Sequence, residues 1–229
     1  MKNILLLHGA LGAASVMEPL ANRLNGEGFA PQTLNFSGHG GVPFTEGFGI
    51  DQFTTEVQAF LDEKGIEETD IFGYSMGGYV ALNLARQHPG RVGRIVTLAT
   101  KFDWTLEGAE REAKMLDPEK IESKVPAFAQ QLATRHAPND WKQLLRKTAE
   151  MMHDLGQAPT LTPAVLSQIQ HRVLICLGDN DQMVSLAETT QAAEVLTNGQ
   201  LHVLEQTSHP FEKVNLDTLH YVIQSFLLA

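Results

Sequence analysis

The sequence predicts an α/β fold, a mostly parallel six-stranded sheet with helices on both faces. Short runs rich in Ile, Leu and Val alternate with longer segments of helical period, the pattern of a sheet whose strands are joined by crossover helices. The apolar runs are continuous rather than alternating, as expected of strands buried on both sides. With 229 residues, 43% of them hydrophobic and 19% charged, the chain is long enough for one sizeable core and too apolar to remain disordered.

The strands are predicted near residues 3–7, 31–36, 69–73, 92–99, 171–177 and 200–204. Ser15 and Glu18 have the spacing of a capping box for a helix running to about Asn25. Asp51 is placed to cap a second helix, in which Phe53, Val57, Phe60 and Leu61 share a face and which Gly65 stops. The stretch of about 101–170 is far longer than the few residues that normally join elements of an α/β unit, so it needs structure of its own. After Pro138-Asn139-Asp140, a helix start signal, Trp141, Leu144, Leu145, Thr148, Met152 and Leu155 recur at helical spacing, and Pro126 and Pro159 break the neighbouring segments. This region is expected to be a helical cap inserted in a single domain spanning 1–229. Met115, Phe128, Met151 and Met152 are expected to pack helices rather than to contact a ligand.

The formal charge of -10 repels phosphate backbones and anionic headgroups, so a small molecule is the expected partner, with no nucleic acid and no membrane. Cys176 is the only cysteine and lies in an apolar run, which excludes an internal disulfide and fits a cytoplasmic location. The N-terminus offers Lys2 and only Ile4 to Leu7 before His8, too short for a signal segment. No cofactor is expected, since the phosphate-loop and dinucleotide fingerprints are missing, and no metal, since there is neither an H-E-x-x-H nor a Cys-rich pattern.

Gly73-Tyr74-Ser75-Met76-Gly77 fits G-x-S-x-G, directly after one predicted strand and at the start of a helical segment. A nucleophile on so tight a turn needs small neighbours, and Gly73, Gly77 and Gly78 supply them. A serine hydroxyl also needs a base. Of nine histidines, His209 stands just beyond the last predicted strand, where loops overlook the crevice of a parallel sheet. His88, His136, His153 and His220 fall in or beside helical segments, and His171 and His202 in strands. A carboxylate must orient the base, and Asp103, Asp179 and Asp181 all stand in loops after predicted strands. For the oxyanion, Met76 follows the nucleophile, and Ala10, with Leu11 in reserve, lies in the small-residue loop after the first strand.

Together His8-Gly9, Ser37-Gly38-His39-Gly40, Gly73 through Gly78, Gly178 through Asp181 and Ser208-His209 resemble the α/β-hydrolase superfamily. The resemblance spans nearly the whole chain. It implies a Ser-acid-His chain order, by which Ser75, Asp181 and His209 are the expected triad. The sequence departs from the family at Asn35 and Ser37, where many relatives carry Asp and Arg. Its start corresponds to the family's third strand, implying a reduced sheet with no antiparallel hairpin before it. The implied activity is hydrolysis of an ester-like bond in a small, partly apolar molecule. The superfamily also includes carbon–carbon hydrolases, lactonases, cofactor-free haloperoxidases, a menaquinone-pathway synthase and slow-turnover receptors. Arg111, Arg135 and Arg146 are the cap residues able to hold a substrate carboxylate.

Overall fold

The computed structural model describes residues 1–229 and contains one six-stranded parallel sheet. Its strands are β1 (Lys2–Leu7), β2 (Phe29–Thr33), β3 (Thr69–Tyr74), β4 (Val92–Leu98), β5 (Arg172–Gly178) and β6 (Asn198–Leu204), in the order β2-β1-β3-β4-β5-β6. Between and after them run α1 (Ala14–Leu24), α2 (Ile50–Glu63), α3 (Met76–Gln87), α4 (Leu106–Ala113), α5 (Pro118–Lys124), α6 (Pro126–His136), α7 (Trp141–Gln157), α8 (Pro163–Leu166), α9 (Leu186–Val195) and α10 (Leu216–Leu228).

The strand register divides the side chains between two cores. Leu5, Ile71, Ile95 and Val173 lie side by side across four strands and face α2, α3 and α9. Their neighbours Leu6, Phe72, Val96 and Leu174 form the opposite row and face α1 and α10. Both faces are dry, which is why these strands read as unbroken apolar runs. At about 1.5–3 kcal/mol for each fully buried large apolar side chain, the two rows and the helices on them are the main stabilising term. The strand order reverses at β1 and β3, so the loops after these two strands diverge and leave a crevice between them.

Three local expectations are corrected. The second strand is Phe29–Thr33 rather than 31–36, because Asn35 and Phe36 leave the sheet to make other bonds. The Ser15/Glu18 capping box does not form. Ala13 occupies the N-cap of α1 without a side-chain bond, and Asn35 Oδ1 accepts the Ala14 N–H at 2.6 Å from across the fold. Asp51 is not the cap of α2, whose N-cap is Gly49. Asp51 lies in the first turn, and its Oδ1 accepts from Asn83 Nδ2 at 2.9 Å and Gln87 Nε2 at 2.8 Å, tying α2 to α3.

The region between β4 and β5 holds α4 to α8. Here Asp140 caps α7 as its position suggests, accepting the Lys142 N–H. Met151 and Leu155 of α7 join the α2/α3 core, while Leu145 joins Ile121, Ala129 and Leu132 in a smaller cluster that packs on Leu11. Met115 and Phe128 do not pack helices as expected, since both are exposed. No helix is long and apolar enough to cross a membrane.

Candidate active site

Ser75 sits between the end of β3 and the start of α3, at the strand-order reversal. Its φ of 51° and ψ of -116° fall where L residues are rare, a conformation that costs on the order of 1–3 kcal/mol. The turn is held by backbone bonds: the Ser75 N–H donates to the Leu98 carbonyl, and its carbonyl accepts from Gly78 N–H and Thr100 Oγ1. Close approach explains the glycines. A Cβ on Gly77 would lie 2.3 Å from the Leu7 carbonyl oxygen, and one on Gly78 would lie 2.1 Å from Thr100 Oγ1. Because the obstacle at Gly77 is β1 backbone, Gly77→Ala is expected to lose at least about 1–3 kcal/mol of stability by overpacking, measured by urea unfolding.

His209 and Asp181 reach this turn from the loops after β6 and β5. His209 Nδ1 is 2.8 Å from Asp181 Oδ2, with the Asp181 side chain 1% exposed. Asp181 Oδ1 accepts the Met183 and Val184 N–H groups at 2.8 and 2.9 Å, which fixes the carboxylate before it meets the ring. Burial raises the Asp181 pKa, but the bonds from His209, Val184 and Met183 outweigh it and hold the group below the usual carboxylate range. Tyr74 Oη donates to the His209 carbonyl at 2.8 Å, anchoring the histidine loop to the residue beside Ser75. Ser75 and His209 line one small cavity of about 60 Å³ with Ala10, Met76 and apolar residues of α7. Their side chains are not hydrogen-bonded to each other, an arrangement common before substrate tightens a site.

The other two aspartates stand elsewhere. Asp179 Oδ1 accepts the Thr207 N–H at 3.1 Å and so braces the turn before His209, while Asp103 is exposed. The Ala10 N–H has no acceptor within the protein, and Met76 opens α3, where first-turn N–H groups have no intrahelical acceptor. Both border the cavity.

A profile of the alpha/beta hydrolase fold matches residues 2–148, more than half of the chain. This protein belongs to the alpha/beta hydrolase fold family. It is 27% identical over 233 residues to the pimeloyl-[acyl-carrier protein] methyl ester esterase of Neisseria meningitidis serogroup C, covering 92% of this chain and 88% of that one. It is also 27% identical over 205 residues to the 2-hydroxymuconate semialdehyde hydrolase of a Pseudomonas species, covering 79% and 69%. Among solved structures, the enol-lactonase of Burkholderia xenovorans superposes with a TM-score of 0.78 at 18% identity, covering 100% of this chain and 92% of that one. At that identity the likeness shows the fold alone.

In this alpha/beta hydrolase, three buried histidines brace the loop that carries Ala10. His8 Nδ1 donates to the Gly9 carbonyl at 2.8 Å and its Nε2 accepts the Phe36 N–H at 3.3 Å. His136, on α6, accepts the Gly40 N–H at Nδ1 and donates from Nε2 to the Leu11 carbonyl at 3.0 Å. His39 touches both, tilted against His8 with ring centres 5.0 Å apart and edge-on to His136 at 5.7 Å, while it stacks on Phe48. Each of the outer pair has one ring nitrogen donating and one accepting, so neutral imidazole fits and imidazolium does not. Burial pushes the pKa of His8 and of His136 down to about 4, and that of His39 well below the ordinary value.

In the sequence His136 shows only as a residue in or beside a helical segment, and nothing in that position reveals its two-loop connection. Arg135 also donates to the Leu11 carbonyl, at 3.0 Å, and pairs with Glu212, while Arg146 pairs with Glu119. Met151 and Met152 line the cavity, contrary to the expectation that they only pack. Two further lining residues, Lys101 and Glu112, carry no sequence signal, because only the folded chain shows that Glu112 is buried and Lys101 half-buried. No group of three or more His, Cys, Asp or Glu side chains is arranged to hold a metal ion.

Proposed function

We propose that this protein is a serine hydrolase that cleaves an ester-like bond, whether carboxylic ester, lactone or thioester, of a small, partly apolar molecule. The observation that carries this reading is the Asp181–His209 bond of 2.8 Å beside a serine held at φ 51° on the same cavity. Ser75 Oγ attacks the substrate carbonyl while His209 Nε2 takes its proton. Asp181 keeps the other ring nitrogen protonated and offsets the charge of the imidazolium. The oxyanion receives the Ala10 and Met76 N–H groups. His209 then protonates the leaving alcohol or thiol, and water, deprotonated by His209, releases the acid from Ser75.

The cavity favours an apolar acyl group, since its walls include Ile50, Met76, Met151, Met152, Leu155 and Trp104. The relative named as a methyl ester esterase, aligned over most of both chains, supports the ester reading, and the relatives' names favour catalysis over slow reception. The direct test is a screen of purified protein against acyl esters, lactones and thioesters. Repeated turnover of at least one class is expected. Stabilisation by all three classes without turnover would point to a binding protein.

The roles of the aspartates separate in the same assay. Asp181→Asn is expected to lower kcat about 10³- to 10⁴-fold, the cost of losing the histidine's correct tautomer. Asp179→Asn should cost far less, through a looser Thr207 turn, and Asp103→Asn almost nothing. A larger loss in Asp103→Asn would move the acid to the loop after β4.

A further inference from the structure

One end of the cavity is polar in a way that the Ser-His-Asp chemistry does not use. Glu112, on α4, is 6% exposed, yet its Oε2 is buried without a hydrogen-bond partner. Its Oε1 stands 3.7 Å from Lys101 Nζ, too far for a hydrogen bond. Lys101, just past β4, is itself only 15% exposed at the side chain and reaches over the Trp104 ring. The Trp104 Nε1–H is likewise buried and unpartnered. Lys101, Glu112 and Trp104 line the same cavity as Ser75 and His209. Lys101 and Glu112 also border a polar outer cleft with Asp103, Arg111 and Glu188, so the pair forms part of the wall between the two.

An acceptor and a cation side by side, both withdrawn from water, are costly unless another group completes their bonds. The charges of Lys101 and Glu112 nearly cancel. A substrate carboxylate would therefore meet Glu112 as well as Lys101, and an ammonium group would meet Lys101 as well as Glu112. A hydroxyl or a carboxamide faces neither conflict: it donates to a Glu112 carboxylate oxygen turned toward the cavity and accepts from Lys101 Nζ.

We propose that Lys101 and Glu112 form a specificity subsite for an uncharged donor–acceptor group, a hydroxyl or carboxamide, carried by the substrate away from its scissile carbonyl. This rests on the ester-hydrolase reading above and narrows its substrate class. The apolar walls from Met151, Met152 and Leu155 accommodate the chain that joins the two ends.

The test compares methyl esters of four- to six-carbon acyl chains ending in methyl, hydroxyl, carboxamide, carboxylate or ammonium, followed by acid release. In the wild type, kcat/KM for the hydroxyl or carboxamide ester is expected to exceed that of the other three by about 10- to 100-fold. Glu112→Gln leaves the Lys101 charge unbalanced and should move the preference toward the carboxylate ester by about tenfold or more. Equal kcat/KM across the wild-type series, or a Glu112→Gln variant that scales every ester alike, would overturn the subsite. Binding of the same esters to Ser75→Ala, read by thermal shift, tests the subsite even where no ester is turned over. Preferential binding of the hydroxyl or carboxamide ester there supports it, and equal binding overturns it. Absence of turnover of the whole series by the wild type would instead count against the ester-hydrolase reading.

Discussion

Ser75→Ala is expected to lower kcat on any substrate ester by at least about 10⁴-fold while leaving the fold intact. The loss should be this large because the hydroxyl forms the bond that both halves of the reaction depend on. Alanine tolerates the turn no worse than serine, and the bonds that hold it come from the backbone of residue 75. His209→Ala should lose a similar amount, and the double variant little more, since the two act as a unit. Single and double variants with multiplying losses would mean that they act separately.

A second large effect is expected in stability at acid pH. His8 and His136 have pKa values pushed down to about 4, whereas an unfolded histidine titrates near 6.5. Between those values the unfolded chain binds protons that the folded chain refuses. Stability therefore falls as pH drops from about 6.5 to about 4, and is fully retained above that window. Each pKa unit corresponds to about 1.4 kcal/mol, so either histidine contributes on the order of 3 kcal/mol across the window. Together they match a large part of a typical domain's 5–15 kcal/mol. Urea unfolding at intervals from pH 7.5 to 4.5 should show this slope, reduced in His8→Asn and in His136→Gln. A flat profile would mean that these rings are protonated in the fold. Protonation would also place N–H against N–H at Phe36 and Gly40, releasing the loop that carries Ala10, so activity should decline along with stability.

How far the sequence reveals this molecule depends on how local each signal is. The four central strands β1, β3, β4 and β5 are legible because Leu5, Ile71, Ile95 and Val173 and their neighbours face cores on both sides, leaving unbroken apolar runs. The edge strands β2 and β6 are largely half-buried or exposed and show a weaker pattern. The Ser75 turn is legible because its glycines answer close backbone approaches within a few residues. The boundary of β2 and the start of α1 differ from the sequence pattern for one reason: Asn35, remote in sequence, leaves the sheet and accepts the Ala14 N–H, so α1 begins before Ser15 with Ala13 at its N-cap. His136 and Glu112 are illegible for the same kind of reason, since only the packing of α4 and α6 buries them beside Lys101 and Leu11. Met151 and Met152 have the spacing of any packed helix, and the chain alone does not reveal which face overlooks a cavity.

The central claim is that Ser75, His209 and two backbone donors operate as one assembly, and a fluorophosphonate tests it most directly. Such a reagent loses fluoride to the attacking serine and leaves a tetrahedral phosphorus whose oxygen occupies the oxyanion position, so labelling needs nucleophile, base and donors together. The expected result is a single adduct mapped by peptide mass to Ser75, formed at a rate that collapses in His209→Ala and vanishes in Ser75→Ala. An adduct mapped to another residue, or labelling of Ser75 at an unchanged rate in His209→Ala, would contradict it.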